Sequence, residues 1–295
     1  LTWRIMVIPL ACYRQTGTAR PLTDTDMTPL PDRPRLLFAH ANGFPGSSYS
    51  SFLGPLAERF DVQLLDRLGH HPDFPVGHNW LALRDELLHT LEGADEPVIG
   101  VGHSMGGVLM AMAAEVAPER FRCVVMLDPP LMLGLDAWAM KAAKRIGFME
   151  RVTPAGQSRG RRSLWPDRNA MRDSLRRRRL FRRFTPEALD DYVEGGTRLL
   201  DDGQAVLVYD PGVEVEIFCH LPDHLGDLPR RLRVPYALLA GEDSDLLTPR
   251  RRRRLVRHGV PVTLVPGTHM FPMEHPVEAR QGLIAILESL LETSP

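Results

Sequence analysis

Val98-Ile99-Gly100-Val101-Gly102-His103-Ser104-Met105-Gly106-Gly107 carries an apolar run through Gly-x-Ser-x-Gly into a helix-like segment, and its reading decides the fold. A serine on a sharp turn between a buried strand and a helix is forced into a strained backbone conformation that turns its hydroxyl outward at the sheet edge. The residues around such a turn must be tiny. Gly102 and Gly106 flank Ser104 where a Cβ would collide across the turn, and Gly107 lets the helix approach the strand. A helix starting near Met105 aims its first free N–H groups at the reacting center, where they can stabilise a developing oxyanion. The stretch therefore reads as a nucleophile elbow, with Ser104 as nucleophile and the Met105 N–H as one oxyanion donor.

Working outward, Arg35-Leu36-Leu37-Phe38-Ala39 is a short apolar strand that leads into His40-Ala41-Asn42-Gly43-Phe44-Pro45-Gly46. Far downstream, Pro261 to Val265 is another strand, followed by Pro266-Gly267-Thr268-His269. Between them short apolar runs alternate with helical ones. The pattern predicts strands at 35–40, 61–66, 97–103, 122–128, 234–240 and 261–266, and helices at 48–59, 79–92, 105–117, 248–258 and 276–292. Such alternation argues for an α/β fold, a mostly parallel twisted sheet flanked by crossover helices. It lapses between about Asp128 and Leu228 into helical, polar sequence broken by Pro and Gly.

The order oxyanion loop, serine, acid, histidine resembles the α/β-hydrolase superfamily, over nearly all the chain from residue 35 onward. Within it the chain is similar to small bacterial hydrolases that carry His-Ala-Asn-Gly-Phe-Pro and an Asp-Arg-Leu-Gly-His segment, here Asp66 to His70. The resemblance implies a core of residues 35–129 and 229–295 with a helical cap inserted at 130–228. It also implies a serine hydrolase or esterase without a cofactor, acting on small carboxylic esters. Thioesters, lactones, cofactor-free haloperoxidase chemistry and C–C bond hydrolysis are the enzymatic alternatives, and a ligand-binding module on the same fold is the non-enzymatic one.

His269 is the expected general base, because a serine hydroxyl is inert at neutral pH without one and its Gly-Thr-His loop resembles the superfamily's histidine loop. His275 is the weaker alternative, and His103 is expected to point away from Ser104. The acid is expected after the strand Tyr236–Ala240, in Gly241-Glu242-Asp243-Ser244-Asp245-Leu246-Leu247. The family spacing falls on Ser244, so two neighbours compete. Asp245 is favored because Ser-Asp-Leu-Leu-Thr resembles a variant loop of relatives. Asp243 is the alternative, and Asp128, closing the strand in Leu127-Asp128-Pro129-Pro130, is the third candidate. The second oxyanion donor is assigned to Phe44, with Asn42 next, and His40 is read as bracing that loop by hydrogen bonds.

Composition bounds the alternatives. The 295 residues are 43% hydrophobic, and 36 basic residues nearly cancel 37 acidic ones, which gives no global pull toward nucleic acid or an anionic membrane. Three widely spaced cysteines, Cys12, Cys123 and Cys219, do not make a disulfide framework. His70, His71 and His78 lack carboxylate or cysteine partners at ligand spacing, so no metal is expected. No apolar stretch approaches the roughly 18 residues of a bilayer span, and a soluble cytoplasmic protein with a small-molecule ester substrate is expected. Residues 1–34 read as a flexible leader, Met27 as a candidate start. The run Arg176 to Arg179, flanked by Arg159, Arg161, Arg162, Arg168, Arg172, Arg182 and Arg183, makes the insertion locally basic, and a second run spans Arg250 to Arg254. These read as a solvated face or as a rim that attracts anionic substrates.

Overall fold

The computed structural model describes residues 7–9, 33–131 and 135–292. In chain order the main elements are β1 (Val7–Pro9), β2 (Arg35–Ala39), β3 (Asp61–Leu65), α1 (Leu81–His89), β4 (Val98–His103), α2 (Met105–Val116) and β5 (Phe121–Leu127). An insertion follows, with α3 (Leu135–Arg145), β6 (Leu164–Trp165), α4 (Arg168–Arg176), α5 (Pro186–Gly195), β7 (Thr197–Leu199), β8 (Ala205–Leu207) and α6 (Pro211–Cys219). The chain closes through β9 (Tyr236–Gly241), α7 (Pro249–Arg257), β10 (Val262–Val265) and α8 (Pro276–Glu292).

Seven strands form one sheet in the order β1-β3-β2-β4-β5-β9-β10, parallel throughout except for β1. Strand alternation sends successive side chains to opposite faces, and both faces are covered. Leu36 and Phe38 pack with Val125, Leu239 and the α8 residues Leu283 and Leu287. Leu37 and Ala39 pack with Val124, the α2 residues Val108 and Leu109, and the α1 residues Leu83 and Leu87. Burial on both sides explains why these strands read as continuous apolar runs.

Three expectations change. The helix expected at 48–59 is a succession of short helical turns, Gly46–Tyr49, Ser50–Leu53 and Gly54–Glu58, because Pro55 cannot donate to a continuing α-helix. The leader is not structureless throughout: Val7–Pro9 pairs antiparallel with β3, Val7 opposite Leu65. Its Val-Ile-Pro covers a sheet edge, the one place where a proline without an N–H is tolerated. Residues 1–6 and 10–32 of the leader, Cys12 and Met27 included, lie outside the described residues. The insertion, expected to be helical, also holds a small antiparallel sheet in the order β6-β8-β7. Among the described residues no helix is long and apolar enough to cross a membrane.

Candidate active site

The turn after β4 is built as the glycines require. A Cβ on Gly102 would lie 2.3 Å from the Gly106 carbonyl carbon, and one on Gly106 would lie 2.1 Å from the Ala39 oxygen. Only hydrogens fit there. Ser104 takes φ 53° and ψ −115°, a conformation that L-residues rarely hold and that persists because the surroundings over-determine it. Its N–H donates to the Leu127 carbonyl at 2.8 Å, while the side chain is half-buried at the N-terminus of α2.

The next strand ends in the same way. Asp128 follows β5 with φ 44°, and its N–H donates to the Leu239 carbonyl at 2.8 Å. Its side chain is fully buried. The backbone at β4 and β5 is in register, His103 opposite Leu127, so Ser104 and Asp128 leave the sheet side by side.

His269 bridges them. Its Nε2 lies 3.1 Å from Ser104 Oγ and its Nδ1 2.7 Å from Asp128 Oδ2. With Nδ1–H donating to the carboxylate, Nε2 is left as an acceptor facing the serine hydroxyl. The structure thus brings Ser104, His269 and Asp128 together and does not bring Asp245, the preferred acid, to His269. Asp245 is exposed, and Asp243 is exposed with its carboxylate 3.3 Å from Arg183. The residue of that loop which reaches the site is Ser244, buried, its Oγ 2.6 Å from Asp128 Oδ2. The physical reason is orientation: the loop after β9 turns Asp243 and Asp245 to solvent on either side of Ser244, whereas the left-handed turn at Asp128 aims a carboxylate beneath the histidine loop.

The oxyanion loop also differs from expectation in one respect. The Phe44 N–H closes a turn onto the Ala41 carbonyl at 3.0 Å, so it is not free to donate to a ligand. Gly43 holds φ +78° in that turn. The amide of Asn42 has no acceptor among the described residues, and neither does that of Met105, whereas the Gly43 N–H is turned to the buried Tyr209 hydroxyl. The Phe44 ring instead packs on the insertion, 4.9 Å from Tyr192, 6.1 Å from Phe181 and 6.2 Å from Phe184.

Behind the loop lies a buried polar network that sequence reasoning found only in part. His40 Nδ1 faces the Ala41 carbonyl and its Nε2 accepts from the Leu68 N–H at 2.9 Å, with burial pushing its pKa down to about 4. Tyr49 Oη accepts the Ala41 N–H at 3.2 Å and lies 2.8 Å from His103 Nδ1. His103 Nε2 lies 2.9 Å from the His269 carbonyl oxygen. A carbonyl can only accept, so Nε2 carries the proton and the Tyr49 hydroxyl donates to Nδ1. Burial holds His103 well below the ordinary histidine range. Through Tyr49 it ties the oxyanion loop to the backbone of His269. Glu86, buried on α1, accepts from the Gly69 N–H at 2.8 Å, and desolvation pushes its pKa up to about 7. Glu274 fixes the histidine loop, accepting from Thr268 N–H and Oγ at 2.7 Å each. Nothing in the local pattern marks Tyr49 or Glu274, since their partners are distant in sequence or lie across a turn.

The remaining candidates have other surroundings. His275 precedes α8, its carbonyl accepting from Ala279 N–H at 2.9 Å. His70 Nε2 accepts from the Asp210 N–H at 3.0 Å and its ring lies 4.4 Å from that of Tyr209. The arginines divide. Arg161 turns inward, 2.6 Å from Glu214 and 2.9 Å from the Tyr192 hydroxyl, and Arg168, Arg172 and Arg183 are bonded to Thr197, Asp190 and Asp243. Arg176 and Arg182 border a groove of about 430 Å³ with Phe181, Phe184, Pro186 and Leu189.

The sequence profile described as "Alpha/beta hydrolase family" matches residues 36–280. The chain belongs to the alpha/beta hydrolase family. It is 26% identical over 247 residues to a putative non-heme haloperoxidase of Mycobacterium phage D29, covering 79% of this chain and 70% of that protein. In fold it is similar to E-2-(acetamidomethylene)succinate hydrolase, with a TM-score of 0.70 at 22% identity over 87% of this hydrolase and 92% of that chain. A thioesterase domain from the curacin biosynthetic pathway matches with a TM-score of 0.64 at 19% identity, over 89% of this chain and 92% of that one. An M. tuberculosis esterase matches with a TM-score of 0.63 at 22% identity, over 88% and 86%.

Proposed function

We propose that this hydrolase cleaves carboxylic esters of small acyl substrates through an acyl-enzyme. The observation that carries the proposal is the continuous hydrogen-bonded line from Asp128 Oδ2 through the His269 ring to Ser104 Oγ, with the serine strained at the helix N-terminus. Ser104 Oγ attacks the ester carbonyl while His269 Nε2 takes its proton. Asp128 orients the ring and stabilises the imidazolium that forms. The tetrahedral oxygen is met by the Met105 N–H at the positive end of α2 and by the Asn42 N–H. Collapse breaks the C–O bond, and His269 returns the proton to the departing alcohol. Water then attacks the acyl-enzyme with His269 again as base, releasing the acid and Ser104.

No step calls for a metal or an organic cofactor. The insertion between β5 and β9 acts as the cap, its Tyr192, Phe181 and Phe184 walling the oxyanion loop. The same geometry accepts thioesters and lactones, and the esterase, thioesterase and hydrolase names of the structural neighbours are in keeping with acyl transfer. The test is labelling with a fluorophosphonate probe together with hydrolysis of p-nitrophenyl acetate and butyrate. Wild type should label and turn over, and Ser104→Ala should do neither while keeping its circular dichroism spectrum. Turnover of either ester by Ser104→Ala near the wild-type rate removes the proposal.

A further inference from the structure

Asp128 is a buried carboxylate, and a buried charge needs donors. It has two, and both reach the same oxygen. Oδ2 lies 2.7 Å from His269 Nδ1 and 2.6 Å from Ser244 Oγ, while Oδ1 is buried with no partner among the described residues. Ser244 is itself held. Its Oγ accepts the Leu247 N–H at 2.9 Å and its own N–H donates to the Gly241 carbonyl at 3.1 Å. With Oγ accepting from Leu247, the hydroxyl proton is directed at Asp128, because a carboxylate oxygen can only accept.

The order of donation is therefore Leu247 N–H to Ser244 Oγ, Ser244 O–H to Asp128 Oδ2, with His269 Nδ1–H arriving on the same oxygen. We propose that Ser244 is a positioning residue of the catalytic site: it fixes the plane of the Asp128 carboxylate and draws charge from Oδ2, and so sets the pH at which His269 becomes a base. The proposal rests on the assignment of Ser104, His269 and Asp128 as the reacting line. Its sign follows from electrostatics. Removing the hydroxyl leaves more negative charge on Oδ2, which holds the imidazolium proton more tightly and raises the pH at which His269 loses it.

Other groups surround His269. From β4 comes His103, kept neutral by burial, with ring centroids 5.0 Å apart. From the histidine loop and the turn after it comes Glu274, bonded to Thr268. From the loop after β9 come Glu242, Asp243 and Asp245, all exposed, and from the insertion Arg183, which pairs with Asp243. From α7, Arg252 bonds the Gly241 and Glu242 carbonyls. All of these persist when position 244 alone is changed, so a shift reports the hydroxyl.

The experiment is the pH dependence of kcat/KM for p-nitrophenyl butyrate in wild type, Ser244→Ala, Ser244→Thr and Ser244→Cys, with Ser104→Ala as control. In Ser244→Ala the acid limb should move up by about half to one pH unit, and kcat above that limb should fall about three- to tenfold with KM nearly unchanged, as expected when a transition-state interaction is loosened. Ser244→Thr, which keeps the hydroxyl, should return the limb to its wild-type place. A residue that merely closed the Leu247 turn would lower the thermal midpoint without moving the limb. An acid limb and kcat unmoved in Ser244→Ala, in protein that still labels with the fluorophosphonate, overturns the proposal. Should Ser244→Ala fail to fold, Ser244→Cys supplies the comparison, since a thiol is a weaker donor: its limb should lie above that of Ser244→Thr, and coincidence of the two overturns the proposal equally. Activity surviving in Ser104→Ala is the separate result by which the catalytic reading itself fails.

Discussion

β4 and β5 run side by side and finish with the same backbone device. Ser104 and Asp128 both hold positive φ, 53° and 44°, and each donates its N–H to a carbonyl of the next strand, Leu127 for the serine and Leu239 for the aspartate. The two ends differ in what that conformation demands of the neighbours. At Ser104 the chain reverses into a helix that returns against the strand, so Gly102 and Gly106 must lack side chains. At Asp128 the chain leaves through Pro129-Pro130, and no glycine stands within two residues of it. An aspartate also tolerates left-handed backbone better than most residues, so no glycine pattern is needed. One strand end carries a signature and the other does not, although both deliver a side chain to His269.

Replacing Asp128 tests the comparison where the largest effect is expected. In Asp128→Asn the amide NH₂ can face Nδ1 and favor the wrong imidazole tautomer, and kcat should fall by about ten-thousandfold, as in triads generally. The phosphonylated enzyme should still form slowly with the fluorophosphonate, fluoride leaving as Ser104 Oγ bonds to phosphorus, because Ser104 and the helix N-terminus remain. A kcat within tenfold of wild type would mean that the two strand ends are alike in shape alone.

The contrast also explains how much was legible. The elbow, the oxyanion loop's place and His269 come from local patterns: tiny residues at fixed offsets, and strands that read as apolar runs because both faces of the sheet are buried. The parallel sheet followed from the same runs. The acid did not follow, because three acidic residues near strand ends differ only in where the backbone aims them, and a positive φ without glycine leaves no trace in the sequence. Ser244 was visible as the family's usual acid position without a carboxylate, yet its contact with Asp128 depends on β5 and β9 being adjacent. The Tyr49–His103 link and the Val7–Pro9 edge strand are likewise contacts between segments far apart in the chain.

A second way to sharpen the comparison lies behind β2, where the supports include a buried acid. Glu86 has its pKa raised to about 7 from 4.5. The folded state therefore keeps a proton that the unfolded chain releases above pH 4.5, so this group's stabilisation is full below about pH 4.5 and is lost as pH rises toward 7. The span corresponds to about 3 kcal/mol as an upper figure. Glu86→Gln keeps an acceptor for the Gly69 N–H and removes the titration. Its stability relative to wild type should rise between pH 5 and pH 8, followed by urea melts at each pH. An equal pH dependence in both proteins would show that Glu86 is not the buried acid of this region.

A smaller effect is expected from Tyr49→Phe. The substitution leaves the Ala41 N–H and His103 Nδ1 without their shared partner in a buried region, which costs about 2 kcal/mol of stability. Because Tyr49 and His103 connect the oxyanion loop to the His269 carbonyl, kcat should drop about tenfold with little change in KM. A variant that loses stability at full kcat would separate the elbow's support from its chemistry.

The smallest effect tests the other half of the comparison, the strand end that does not turn its acids inward. β9 finishes in Gly241, and the loop beyond it bonds to the histidine loop through Glu242 N–H to Val265 and Asp243 N–H to Gly267, at 2.8 and 2.9 Å. Those bonds fix the backbone so that Ser244 enters the core while Asp245 remains exposed. An exposed carboxylate in water contributes little even where it is paired, and this one reaches neither His269 nor Ser244. Asp245→Asn should therefore keep kcat/KM for p-nitrophenyl butyrate within about twofold. Asp243→Asn should do the same while leaving Arg183 with Glu274 as its ion-pair partner, a surface change measurable as a drop of a degree or two in thermal midpoint at most. Since Asp128→Asn and Asp245→Asn make the same chemical change, the ratio of their effects measures what backbone direction alone contributes at the two strand ends. A large loss in Asp245→Asn with a small one in Asp128→Asn would reverse the assignment and place the working acid on the loop after β9.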